Sequence, residues 1–196
     1  MIVPPTQDID PTVFETAGPR PMLDLLYPLS EFFHPGEPIP LAEQEVQGQR
    51  MPEPYRSLLV HDTDMTSTLE AFHGESLTLR LLEVQRRDED LFRQVVLVGE
   101  TSGRGVEFGA IRIDLTRFEP QPRQEIVEGR RPLGSILARH RVAYTSRPRL
   151  FFHLDADVRV AELLGLSETG RLYGRQNVLW DPSGVPLAEV VEILPP

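Results

Sequence analysis

Strand-like runs joined by hairpin-length turns dictate antiparallel neighbours, and this chain has two such pairs. Leu91 to Glu100 and Gly105 to Leu115 flank Thr101-Ser102-Gly103-Arg104-Gly105. Arg171 to Trp180 and Val185 to Leu194 flank Asp181-Pro182-Ser183-Gly184. Glycine, aspartate, serine and proline supply the chemistry of tight turns. Connections this short exclude a parallel crossover, which needs about a dozen residues or more. Ser76 to Gln85 alternates apolar and polar residues like a strand, and Val142 to Leu154 is again strand-like. Helical spacing is confined to short stretches: Tyr55 to His61, Met65 to Phe72, Pro122 to Glu128, Leu133 to His140 and Val158 to Leu164. Asp62 or Asp64 is available as an N-cap for the second, with Gly74 as its stop. This order predicts a single α+β domain around a mainly antiparallel sheet, not a parallel nucleotide-binding sheet.

Prolines set the other boundary. Eleven of the 19 lie between Pro4 and Pro54, which removes backbone donors and blocks long helices and central strands there. Residues 1–50 therefore read as an extended arm and residues 51–196 as the folded domain. Apolar clusters at Met22 to Tyr27 and at Phe32-Phe33 predict that the arm docks onto something. The alternative is a partly disordered leader.

Charge and composition exclude several functions. The net charge of −10 disfavours phosphate backbones and anionic membrane surfaces. With no cysteine, disulfides, thiolate catalysis and zinc-cysteine sites are ruled out. No apolar run approaches the roughly 20 residues that span a bilayer, and Met1-Ile2-Val3-Pro4-Pro5 is not the start of a secretory signal. A cytoplasmic location is expected, with a small-molecule partner and neither nucleic acid nor membrane. The five histidines show no i, i+4 pair, so no metal is expected. There is no G-x-S-x-G elbow and no sign of a cofactor. Oligomeric state is not legible.

Two charged residues sit in apolar strand-like runs: Arg93 in Leu91 to Val98, and Glu192 in Leu187 to Leu194. A charge is costly to bury unless it meets a partner or a ligand. Together the pair could hold a small anion that also carries a hydroxyl. The plain alternative is that both face solvent from their strands.

Five markers in order give the chain a resemblance to the chorismate pyruvate-lyase family. They are Leu58-Leu59 before Asp64-Met65-Thr66, Arg93 in its apolar strand, Pro132-Leu133-Gly134, Tyr173-Gly174-Arg175, and Gly184-x-Pro186 followed by Glu192. The resemblance covers about Leu58 to Pro195. It implies a chorismate lyase-like, UTRA-like fold with about six strands. It also implies the cofactor-free elimination of pyruvate from chorismate to give 4-hydroxybenzoate. By that resemblance Arg93 and Glu192 are the catalytic pair. Arg93 would bind the ring carboxylate with help from the Met65 N–H. Glu192 and the Leu133 backbone would hold the ring hydroxyl, and Arg175 would lie near the enolpyruvyl carboxylate. Glu189 is a rival to Glu192, because the spacing from Pro186 varies by a residue in the family. Gln94 stands where family members often have glutamate. The competing expectation is a non-catalytic protein on the same fold, binding a small aromatic or hydroxy-carboxylate ligand. The ligand-binding domains of some bacterial transcription regulators are similar to it, although residues 1–50 are too proline-rich and too acidic to form a winged helix.

Overall fold

The computed structural model of the protein describes residues 24–33 and 44–196, so most of the proline-rich arm lies outside the described residues. Within them one antiparallel sheet has the order β1-β5-β6-β7-β4-β3-β2. Its strands are β1 (Gln44–Val46), β2 (Leu77–Arg87), β3 (Asp90–Gly99), β4 (Gly105–Asp114), β5 (Thr145–Asp155), β6 (Arg171–Trp180) and β7 (Pro186–Leu194). The single α+β domain expected from the turns is the one observed. The sheet agrees with the expected count of about six, its seventh strand being the three-residue edge strand β1. Three residues are too few to show a period, and β1 exists only because Gln44, Glu45 and Val46 pair with His153, Phe152 and Phe151 of β5.

Five helices accompany the described sheet: α1 (Tyr55–Leu59), α2 (Met65–His73), α3 (Pro120–Glu128), α4 (Leu133–His140) and α5 (Val158–Leu164). Each is short, so packing of one apolar side stabilises it more than propensity does. The Asp64 side chain caps α2 by accepting the Ser67 N–H at 2.8 Å, and left-handed Gly74 ends it at φ 69°. Proline opens α3 and supplies the N-cap of α4.

Strand alternation divides the core between the two sheet faces. On one face Phe92, Val96, Phe108, Phe152, Val191 and Ile193 pack with Val160 and Leu164 of α5. Leu26, Leu29 and Phe32, from the residues before β1, are buried in that same layer. Their segment is fastened by Gln176, whose amide donates to the Asp24 carbonyl, and by an Arg87–Glu31 ion pair. On the other face α1 and α2 cover Leu77 and Leu97, while α3 and α4 cover Leu91, Ile111 and Ile113. Between these two apolar clusters the second face is left open, and the polar residues collect there.

Candidate functional site: a cavity between two helix starts and the sheet

The register places the site's side chains. Arg93 of β3 pairs with Ile111 of β4, which pairs with Val190 of β7, which pairs with Asn177 of β6. One row further, Val95, Gly109, Glu192 and Arg175 lie side by side. The next row pairs Leu97 with Glu107. These residues share one face, because positions two apart along a strand do. Gly109 is required where it stands, since a Cβ there would come within 2.1 Å of the Val191 carbonyl oxygen.

Above these rows is a cavity enclosing about 640 Å³, its open mouth included. Arg93, Glu107 and Glu192 line it from the sheet; Met65 and Thr66 line it from the start of α2, and Leu133 and Gly134 from the start of α4. The first N–H groups of a helix lack intrahelical acceptors and carry partial positive charge. Two helices therefore open onto one space. They meet closely: Asp64, the cap of α2, lies against Gly134, where a Cβ would be 2.1 Å from Asp64 Oδ1. Ser146 and Asn177, joined by an Asn177 Nδ2 to Ser146 Oγ hydrogen bond of 2.9 Å, line the wall, as does Tyr144.

Arg93 is the least satisfied cation of the site. It is 2% exposed. Nη1 donates to the Ile126 carbonyl across a long 3.4 Å, and Nε has no partner among the described residues. Burial alone lowers its pKa to about 10, so it stays charged at neutral pH. A buried arginine without a carboxylate is expensive, and planar guanidinium donors suit a bidentate anion.

Arg175 is placed differently. It is fully buried, and its Nε donates to Glu192 Oε2. Its Nη1 donates to the carbonyls of Leu59 at 3.0 Å and His61 at 2.9 Å. Arg175 is absent from the cavity lining. Its Nε and Nη1 clamp β7 to the α1–α2 connection, while its buried Nη2 has no partner among the described residues. Glu189 does not compete with Glu192 for the site. It pairs with Val178 and Arg112 on the opposite face, where Arg112 holds it at 3.0 Å and Arg149 at 3.3 Å.

Of the five residues singled out by the resemblance, four line the cavity: Arg93, Glu192, Met65 and Leu133. Sequence reasoning missed Glu107. It is buried, lines the cavity, and leaves Oε2 without a partner among the described residues. Desolvation, then the nearby Glu192 charge, push its pKa well up. The signal was present, since Val106-Glu107-Phe108 is an acid in an apolar strand, the same criterion that picks out Arg93. Burial also lowers the pKa of His61, followed by repulsion from Arg175.

No protein-family model matches the chain, and no curated protein matches it. Solved structures do. PhnF from Mycobacterium smegmatis superposes with a TM-score of 0.52 at 17% identity, over 67% of this chain and 63% of that one. The chain thus spans less than two thirds of the intact PhnF chain. The isolated effector domain of PhnF gives 0.50 at 17% identity, over 67% of this chain and 87% of that one. A ligand-binding domain attributed to a GntR-family transcriptional regulator from Bordetella bronchiseptica gives 0.44 at 14% identity, over 61% and 85%. At such identities the likeness shows the fold, the UTRA-like α+β architecture expected from the sequence. It also corrects the activity expected from the resemblance. Elimination of pyruvate from chorismate was carried by the family likeness alone; no family model supports it, and the fold is instead shared with PhnF and its effector domain. Among the described residues, no helix is long and apolar enough to cross a membrane.

Proposed function

We propose that the protein is a non-catalytic effector-binding module whose cavity takes a small organic anion, an aromatic or hydroxy-carboxylate. The observation that carries this reading is Arg93, a charged guanidinium lining the cavity with an unpartnered Nε. The helix starts at Met65 and Leu133 line the same cavity and add backbone donors to it. An anion there removes the penalty of an isolated buried charge. Stabilisation by a bound ligand then grows with its concentration. The effector-domain role printed for PhnF supports the same reading. We further propose that residues 51–196 form the binding domain and residues 1–50 an arm laid over the sheet face opposite the cavity, which the burial of Leu26, Leu29 and Phe32 among Phe92, Val96 and Phe108 supports.

The test is calorimetric titration of the full chain with 4-hydroxybenzoate, chosen because it joins a carboxylate, a ring and a hydroxyl. Saturable binding is expected. Arg93→Ala should weaken it by about 2–5 kcal/mol, the range for breaking a sheltered charge contact, and Arg93→Lys should restore only part. Binding that is unchanged in Arg93→Ala would remove Arg93 from the site and refute the reading.

A further inference from the structure

The cavity is electrically two-ended. At the Arg93 end a cation stands without an acid: its only hydrogen bond among the described residues is to a backbone carbonyl. At the other end the imbalance is reversed. Glu107 faces Glu192 from β7 and Asp64 from the cap of α2. Arg175 of β6 is the cation nearest them, and it is engaged with Glu192 and with the Leu59 and His61 carbonyls. His61 adds no positive charge there at neutral pH, since burial and Arg175 hold its pKa down. Tyr144 lines the same cavity, and burial and the Asp64 charge raise its pKa, so it is neutral too. Glu107 thus keeps an unpartnered carboxyl oxygen in acid-rich surroundings.

We infer that the cavity selects a zwitterion: Arg93 receives the ligand's anionic group, and Glu107, beside Glu192, receives an ammonium group on the same molecule. This rests on the effector-site reading above and narrows its ligand class. The register sets the span. Arg93 pairs with Ile111 and Glu107 with Leu97, so the two residues stand four positions apart along the same sheet face. That is roughly 13 Å at the backbone, with both side chains reaching inward. The ligand's charges therefore lie at opposite ends of its skeleton rather than on neighbouring atoms. A neutral ligand would leave Glu107 protonated and offer its open oxygen no more than a neutral hydrogen bond. An ammonium group lets the carboxyl ionise, so binding releases a proton, and affinity rises with pH through the range in which free Glu107 is protonated.

The experiment compares two probes of one size on the full chain, 4-(aminomethyl)benzoate and 4-(hydroxymethyl)benzoate. Both carry the carboxylate for Arg93, and only the first is a zwitterion. The amine is expected to bind about tenfold more tightly, the difference between a charge-assisted and a neutral hydrogen bond. Its binding enthalpy should also vary with the ionisation enthalpy of the buffer, reporting the released proton. Glu107→Gln should erase both the preference and the proton release while retaining carboxylate binding. If the alcohol binds as well as the amine and Arg93→Ala abolishes both, the zwitterion inference fails and the effector reading stands. If the amine is preferred but Glu107→Gln keeps that preference, Glu107 is not the receptor and the inference fails. If neither probe binds, both readings fall.

Discussion

Replacing Arg93 by methionine should make the free protein more stable while removing its affinity for anions. Burial lowers the Arg93 pKa from the ordinary arginine range to about 10. At about 1.4 kcal/mol per pH unit, the cost of keeping that charge in the empty cavity is on the order of 3 kcal/mol. The sign follows from proton counts. At neutral pH the folded and unfolded chains both carry the proton, so the whole penalty is present. It fades only as pH rises above about 10, where the folded guanidinium has released its proton and the unfolded one has not. Against this stands the long bond to the Ile126 carbonyl, worth about 1 kcal/mol at most. Methionine is unbranched and fills irregular apolar space. A net gain of about 2 kcal/mol remains. In a chain of this size it corresponds to a rise in Tm of about 4–8 °C. The assay is thermal denaturation followed by circular dichroism, with and without 4-hydroxybenzoate, on wild type and Arg93→Met. The wild type should gain Tm with the ligand; the variant should start higher and gain nothing. A variant that melts below the wild type would mean that Arg93 is satisfied as a structural residue, and the argument from its isolation would fail.

Three further outcomes are expected. Arg175→Met strands the buried Glu192 carboxylate and two backbone carbonyls, and should lower stability by about 3–5 kcal/mol in urea unfolding; adding Glu192→Gln should recover part of that loss, and no recovery would show that the clamp acts through the carbonyls alone. Glu107→Gln should exceed the wild type in stability by a margin that widens as pH rises above the ordinary glutamate range. The reason is that the unfolded Glu107 releases its proton near its ordinary pKa of 4.5 while the folded one retains it, so wild-type stability falls as pH rises; a margin independent of pH would contradict the buried neutral acid. Deleting residues 1–50 removes Leu26, Leu29 and Phe32 from the core, a loss on the order of 5 kcal/mol at about 1.5–3 kcal/mol for each buried side chain, and should yield a chain that binds a hydrophobic dye; a truncated protein with wild-type urea stability would mean that this segment does not pack as described.

Local signals sufficed for the elements and their directions. The turns Thr101 to Gly105 and Asp181 to Gly184 are too short for anything but antiparallel neighbours, and the observed β3–β4 and β6–β7 pairs follow. Leu133–His140, Val158–Leu164 and Arg171–Trp180 have the boundaries that their periodicity predicts, because capping residues and apolar spacing act within a few residues. Arg93 and Glu192 were legible for a related reason: a charge inside an apolar strand is visible without knowing its partners.

What lies opposite a strand was not legible, and the site depends on it. Glu192 and Glu189 are three residues apart in one strand, and either suits an acid near the chain's end. Pairing places Glu192 beside Gly109 and Arg175 on the cavity face, and Glu189 beside Arg112 on the other. Arg175 reads as a ligand-binding arginine until α1 is folded against it, when its Nε and Nη1 donors find Glu192, Leu59 and His61. The approach of Asp64 to Gly134, and of Glu107 to Glu192, joins segments 70 to 85 residues apart in the chain. Composition and periodicity determined that this chain makes an antiparallel α+β domain with costly charges in its strands. Only the tertiary structure decided which charges neutralise one another and which are left facing an open space, since that depends on register and face, properties of pairs of strands rather than of either strand alone.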